Sequence, residues 1–378
     1  MRICIFTGSR SEYSLLKKLI ILLNKDPFFQ CKLVVSGSHL SNLYGLSYKE
    51  ILDDGIKIFS KQKVNLKDSS PWSVCNAFAL VNQKLNIFFQ KNKFDLLIVL
   101  GDRYEALAVS IAAYINRIKI CHIHGGEKTL DSLDDNFRHA ISKFSNYHFV
   151  SHKLNKKRLI QLGENKENIH VVGGLGANII KNFQFHTKNF LEKELKLTFH
   201  KKTILVNFYP EISNNFETKK NLKFILNTIN FFPKFQFVFT LPSHDRDVDF
   251  FEKKISNLCK KRKNCFVFKN LGQRKYLSLM KYSDLVIGNS SSGILEAPSF
   301  SRFSLNIGNR QSGRIFSKSV IQTSAKTEEL KKKIKKYINK KSNFKNEYYR
   351  NNTYDLMVQK LKKIKKNLNK NFKEFVDI

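Results

Sequence analysis

Residues 96–107 read LLIVLGDRYEAL, and this stretch decides the fold. Five apolar residues in a row are too few for a membrane span or a buried helix. They run straight into Gly101, Asp102 and Arg103 before an amphipathic segment begins. A strand that is apolar at every position is buried on both faces, the situation of a parallel sheet covered by helices. The same cadence recurs on either side. Arg2–Thr7, Lys32–Ser36, Ile118–Ile123, Tyr147–Val150 and His170–Val172 read as further strands, with helices such as Ser14–Leu23 and Tyr104–Asn116 between them. Such alternation predicts βα units.

The glycine cluster Gly173-Gly174-Leu175-Gly176 marks a turn between domains, after which the pattern restarts. Thr203–Phe208, Phe235–Thr240, Cys265–Phe268, Leu285–Gly288 and Phe303–Ile307 are the strands expected in the second half. Basic amphipathic helices are expected at Thr327–Tyr337 and Tyr354–Lys373, the latter with a stripe of Leu356, Val358, Leu361, Ile364 and Leu368. The expected division is a Rossmann-like domain over residues 1–175, a second over 176–350, and a basic C-terminal helix over 351–378 that packs back on the domains.

With 378 residues, 42% of them hydrophobic and 33 of them Phe, the chain is long enough for two packed cores. The opening MRICIFTGSR begins a strand at once and lacks an export-signal pattern, so a cytoplasmic location is expected. Six scattered cysteines without zinc-type spacing read as reduced core residues. The net charge of +36 raises the prospect of a nucleic-acid or membrane partner. Its distribution argues otherwise. Residues 326–378 hold 17 Lys or Arg against 6 Asp or Glu, and only 13 of the 67 basic residues are Arg. A solvated lysine surface is the reading, with neither nucleic acid nor membrane as partner. Five of those 13 arginines nevertheless fall in the polar clusters below. Guanidinium is the group chosen where a fork must grip carboxylate or phosphate.

In parallel sheets, ligands bind outside the carboxyl ends of strands. Five clusters stand there. Thr7-Gly8-Ser9-Arg10 passes from strand through glycine into a helix, without the GxGxxG dinucleotide pattern. Gly101-Asp102-Arg103 places a carboxylate beside a guanidinium, an arrangement suited either to a helix cap or to a base next to a phosphate clamp. His122 and His124, two apart on a strand and so expected on one face, precede Gly125-Gly126-Glu127, Asp134-Asp135 and Arg138-His139. That density of titratable groups favours acid–base chemistry over a metal. Gly288-Asn289-Ser290-Ser291-Ser292-Gly293, leading to Glu296, opens a helix whose donors suit a diphosphate. Asn306 to Arg314 follows another strand end with two arginines.

Taken in order, TGSRSEYS (7–14), SGSHLSNLYGLSYKEI (36–51), LGDRYEAL (100–107), HGGE (124–127), DDNFRHAISK (134–143), IGNSSSGILE (287–296) and NIGNRQSGR (306–314) resemble the UDP-N-acetylglucosamine 2-epimerase family, specifically its hydrolysing branch. The resemblance covers nearly the whole chain. It implies an α/β, GT-B-like fold of two Rossmann-like domains with parallel sheets and a central cleft. It implies a UDP-sugar substrate, no metal, no cofactor and a homodimer. It also implies conversion of UDP-N-acetylglucosamine to N-acetylmannosamine and UDP, by anti-elimination and hydration through a glycal, for sialic-type sugar synthesis.

By motif matching, Asp102 and Asp134 are the catalytic carboxylates. Glu127 and His124 are candidates for a further acid–base group, because His124 stands where many relatives carry Glu. Arg10, Ser14, His39, Arg103 and Arg138 would contact substrate from the first domain. Ser290, Ser291, Glu296 and Arg310 would hold phosphate and ribose in the second. Tyr209 stands where relatives carry His near the diphosphate, and Ser243 where they carry Asn; both count as substrate-binding candidates. Three other readings stay open: the same reaction on a UDP- or GDP-linked 2,4-diacetamido sugar of the legionaminic-acid route, a GT-B glycosyltransferase, and a basic RNA- or membrane-binding protein on this fold.

Overall fold

The computed structural model describes the chain except residues 43–44, 65–69, 131–132, 182, 212–214, 242–247, 366–367, 369–372 and 378, and the side chains of Asn215 and Val248. Two compact units emerge. The first comprises Met1–Glu127, Leu133–Asn178 and Arg350–Ile378; the second comprises Lys128–Ser132 and Ile179–Tyr349.

In chain order the first unit carries β1 (Arg2–Thr7), α1 (Arg10–Lys25), β2 (Gln30–Ser36), α2 (Tyr48–Asp53), β3 (Ile58–Gln62), α3 (Pro71–Lys91), β4 (Leu96–Leu100), α4 (Tyr104–Ile115), β5 (Lys119–Ile123), α5 (Leu133–Phe144), β6 (Tyr147–Val150), α6 (Lys153–Gln161) and β7 (Ile169–Val171). Among the described residues its seven strands are ordered β3-β2-β1-β4-β5-β6-β7 and pair in parallel. β4 lies in the middle and is buried at all five positions, as its unbroken apolar run requires. Leu16, Leu19, Ile20 and Leu23 of α1 are buried at helical spacing, and Ser9 caps that helix by accepting from the Glu12 N–H.

The glycine cluster at 173–176 is not an open turn. α7 (Leu175–Lys181) starts within it, and the boundary between the units falls inside that helix. The second unit continues with α8 (Lys188–Leu195), β8 (Thr203–Asn207), α9 (Asn215–Thr228), β9 (Gln236–Thr240), α10 (Val248–Lys261), β10 (Cys265–Phe268), α11 (Gly272–Tyr282), β11 (Leu285–Gly288), α12 (Ser292–Leu295), β12 (Ser304–Ile307), β13 (Val320–Thr323) and α13 (Thr327–Tyr337). Its sheet order among the described residues is β10-β9-β8-β11-β12-β13, again parallel throughout.

The chain then returns to the first unit as α14 (Thr353–Lys365), whose Tyr354 hydroxyl donates to the Leu15 carbonyl at 3.0 Å. Its buried face runs through Tyr354, Met357, Leu361 and Ile364, so Leu361, Ile364 and the following Leu368 of the expected stripe are buried, while Tyr354 and Met357 take the places expected of the half-buried Leu356 and Val358. The segment beyond it is held by Lys373, which donates to the carbonyls of Ser142 and Ser145 and pairs with Glu164 at 2.7 Å.

β3 and β13 escape a sequence reading. Both are short, sit at sheet edges and hold only two apolar residues before turning polar, so no solid apolar run announces them. All six cysteines are free, but Cys75 is exposed on α3 and Cys31 and Cys259 are half-buried, so only three are core residues. Among the described residues no helix is long and apolar enough to cross a membrane.

Candidate active site

Each sheet has one place where successive connections leave in opposite directions: between β1 and β4 in the first unit, and between β8 and β11 in the second. At such a switch point the flanking loops diverge and leave room for a ligand at the carboxyl ends of the strands. The polar clusters stand there.

In the first unit, β4 ends at Gly101, Asp102 and Arg103. Arg103 grips Glu105 with two hydrogen bonds, Nε at 3.1 Å and Nη2 at 3.0 Å, and lies 3.8 Å from Glu12. Glu12 bends back under the β1 turn, where its Oε2 accepts from the Gly8 N–H at 2.7 Å and from the Thr7 hydroxyl at 3.4 Å. A protein carboxylate therefore occupies the amide that an incoming anion would have used at this turn. Burial raises Glu12 to about 7; Arg103 pulls it back down and Glu105 pushes it up.

Asp102 is gripped by Arg138 of α5 through Nη2, while the same guanidinium donates to Asp135 at 2.7 Å and to the Glu127 carbonyl at 3.0 Å. Arg138 is only 2% exposed, so it anchors these groups from inside the protein. Asp134 keeps an open face, yet the protein packed around it, and next the Asp102 carboxylate, raise it to about 6. The cluster holds five carboxyls (Glu12, Asp102, Glu105, Asp134, Asp135) around two guanidiniums. With too little positive charge to go round, protons are retained.

The two histidines do not act as a pair. β5 stops at Ile123, and His124 adopts left-handed backbone at φ 66°, so the shared face expected for His122 and His124 is lost. His122 is fully buried, donates from Nε2 to the Gly101 carbonyl at 2.7 Å and faces Ser142 at 3.0 Å through Nδ1. Burial pushes it down to about 3, so it is a neutral strut under the Gly101–Asp102 turn. His124 accepts from the Leu175 N–H through Nε2 at 3.3 Å, which leaves its proton on Nδ1, 3.9 Å from Glu127. Glu127 accepts from Ser151 at 2.7 Å. The close turn ahead of it needs Gly126, where φ is +71° and a Cβ would lie 2.4 Å from the Asn155 carbonyl oxygen.

Three further first-unit candidates have protein partners of their own. His39 is fully buried between Thr7 (3.1 Å) and Ser47 (2.9 Å), and burial lowers it to about 4. Both of its ring nitrogens face protein hydroxyls. Arg10 lies 3.4 Å from Glu50, and the Ser14 hydroxyl donates to the Ser11 carbonyl within α1.

In the second unit, β11 ends at Gly288, where φ is +146° and a Cβ would fall 2.0 Å from the Asn207 carbonyl oxygen; only glycine allows β8 and β11 to meet so closely. Asn289 follows, fully buried. Its side chain accepts from the Tyr209 N–H and donates to the Tyr209 carbonyl, both at 2.8 Å, while its own carbonyl takes Arg310 at 3.2 Å and Gln311 at 3.0 Å. The Arg310 guanidinium lies 5.8 Å from the Tyr209 ring centroid. The Tyr209 hydroxyl faces Thr240 at 2.9 Å.

Ser290 and Ser292 are 3.0 Å apart, and Ser292 also contacts the Tyr276 hydroxyl. The helix expected after this turn is a single turn, α12, and the Ser291 carbonyl is taken by the Ile294 and Leu295 amides. Its donors, not a helix dipole, remain to meet an anion. Burial raises Glu296 to about 7, and its Oε2 is buried without a hydrogen-bond partner. Ser243 lies outside the described residues. Asn207, Thr240 and Tyr276 line this site although none was singled out in the sequence, and Asn289 entered only as a member of its glycine–serine cluster. Tyr276 lies within a helix, where nothing local signals a site. Among the described residues no three His, Cys, Asp or Glu side chains gather as a metal would need.

Two parallel Rossmann-like sheets with acid–base groups at one switch point and hydroxyl and guanidinium donors at the other define a GT-B-like sugar-nucleotide enzyme. The chain belongs to the UDP-N-acetylglucosamine 2-epimerase family, whose signature matches residues 22–362, and to its hydrolysing branch. It is 38% identical over 323 residues to a Campylobacter jejuni protein named GDP/UDP-N,N'-diacetylbacillosamine 2-epimerase (hydrolyzing), covering 85% of this chain and 84% of that one. It is 34% identical to the polysialic acid biosynthesis protein P7 of Escherichia coli, covering 100% and 97%. The fold matches a Neisseria meningitidis UDP-GlcNAc 2-epimerase crystallised with UDP-GlcNAc, with a TM-score of 0.81 at 20% identity over 96% of this chain and 100% of that one.

Proposed function

We propose that the enzyme converts UDP-N-acetylglucosamine and water to N-acetylmannosamine and UDP. The reading is carried by one observation: two carboxyls at the first unit's switch point, Asp102 and Asp134, differ in environment. Asp102 is ion-paired to a buried guanidinium, whereas Asp134 is raised to about 6. Unlike environments assign unlike roles to a pair of acids.

Asp102 takes the C2 proton as the C1–oxygen bond to the diphosphate breaks on the opposite face, leaving a glycal and UDP. Water then adds at C1, and Asp134 delivers a proton to C2 from the other side, which inverts that carbon. Glu127, steadied by Ser151 and near His124, is the group we assign to activating the water. The second unit binds the nucleotide. Ser290 and Arg310 donate to diphosphate oxygens, and Glu296, with an unpartnered buried oxygen, accepts from ribose hydroxyls. The chain works as a cytoplasmic homodimer in this proposal.

Running the reaction in heavy water tests it: the free sugar must carry one solvent deuterium at C2, and retention of the original hydrogen overturns the scheme. A second reading is favoured by the Campylobacter protein's name. There the substrate is a nucleotide-linked 2,4-diacetamido sugar; comparing kcat/KM on that compound and on UDP-N-acetylglucosamine decides between them.

A further inference from the structure

The polar side chains under the second unit's switch point form one line. The Thr240 hydroxyl donates to Asn207 Oδ1 at 2.7 Å, which uses its single hydrogen. The Tyr209 hydroxyl, 2.9 Å away, must then donate to Thr240. On the other side, Asn207 Nδ2 donates to the Tyr276 hydroxyl at 2.6 Å. Tyr276, already an acceptor there, passes its own hydrogen to Ser292, and Ser292 passes its hydrogen to Ser290 at 3.0 Å. The Ser292 amide also points at the Ser290 oxygen, at 3.4 Å. Every group from Tyr209 to Ser292 spends its hydrogen inside the line, in one direction. Ser290 comes last. Its oxygen is filled by donors, and its hydrogen is the one no member of the line accepts.

We propose that Asn207, Thr240 and Tyr276 are positioning residues that polarise this relay, so that Ser290 is held as a hydrogen-bond donor to an anionic phosphate oxygen. Head-to-tail hydrogen bonds strengthen one another, and a hydroxyl already oriented needs no rearrangement when charge arrives. Asn207 is 1% exposed and Thr240 8% exposed, so a ligand cannot reach the line at either of these two groups, whereas Ser290 at its end is half-buried and open to one. The inference deepens, and rests on, the reading that this unit binds the diphosphate.

Tyr276→Phe removes one hydroxyl from the middle of the line and nothing else. The measurement is calorimetric affinity of the full chain for UDP and for uridine. Tyr276→Phe should weaken UDP roughly threefold to tenfold, the scale of one neutral hydrogen bond, and leave uridine unchanged. In a Ser290→Ala background the same change should have no further effect on UDP. Thr240→Val should act in the same direction and Thr240→Ser should restore wild-type affinity, which covers the case of a Tyr276 variant that folds poorly. Equal losses for UDP and uridine, or a full Tyr276→Phe effect without the Ser290 hydroxyl, overturn the relay. A wild-type chain that binds neither ligand overturns instead the assignment of the nucleotide to this unit.

Discussion

Arg138 of α5 holds Asp102 at the mouth of β4 through one guanidinium nitrogen and Asp135 through the other, at 2.7 Å. The three residues come from two elements far apart in sequence, and the arginine is buried while Asp102 keeps an open side. A charged fork inside the protein thus fixes where the Asp102 carboxylate points, and it also sets the cost of removing the fork.

Arg138→Ala should lower both stability and turnover. Taking away one member of a buried ion pair strands its partners, at a cost of about 3–5 kcal/mol. Arg138→Lys, which keeps the charge but cannot fork, should fold better and still lose kcat more than KM. Urea unfolding and steady-state kinetics on one preparation check this; a Lys variant with wild-type kcat removes the positioning role.

If Asp102 takes the C2 proton, Asp102→Asn should lower turnover roughly 10²-fold or more with UDP affinity intact. A group that merely caps α4 would show a small change in melting temperature and ordinary kinetics.

Glu12 supplies a pH signature. Its folded value of about 7 lies above the ordinary 4.5, so the folded state keeps a proton that the unfolded chain has released. The stabilisation is complete below the ordinary value and is lost as pH rises through about 7. Wild-type urea midpoints should therefore fall between about pH 5 and about pH 8, and Glu12→Gln, neutral throughout, should fall less over that span. Parallel profiles for the two proteins would show that Glu12 carries no retained proton.

Tyr209 gives its hydroxyl to Thr240 and its ring face to Arg310, so the two halves of the side chain separate by mutation. Tyr209→Phe keeps the ring and should change KM for the sugar nucleotide by no more than about threefold. Tyr209→Ala, which frees Arg310, should raise KM several times more. The reverse order would mean that the phenol itself meets the diphosphate.

The strands that build both sheet centres were legible because burial on two faces leaves an unmistakable run of apolar residues, as in Leu96–Leu100 and Thr203–Asn207. The polar residues that follow those runs, Asp102, Ser290 and Arg310 among them, were legible because chemistry in such sheets gathers at strand ends. Sequence alone therefore determined two α/β units and most of the groups placed at their switch points. Tertiary structure decided which of them face inward. That His39 and Arg138 are buried among protein partners is not written in their sequence, since a buried imidazole and an exposed one are spelled alike. His122 and His124 were expected on one face, and one left-handed residue at the strand end separated them. Asn207 and Tyr276 carried no signal, because what makes them matter is a partner brought from 69 residues away, and Glu12, quoted only within its TGSRSEYS segment, retains its proton because the fold buries it beside Arg103 and Glu105. Local pattern records periodicity and burial; the sharing of a proton or an ion pair between distant strand ends is settled only when the sheet closes.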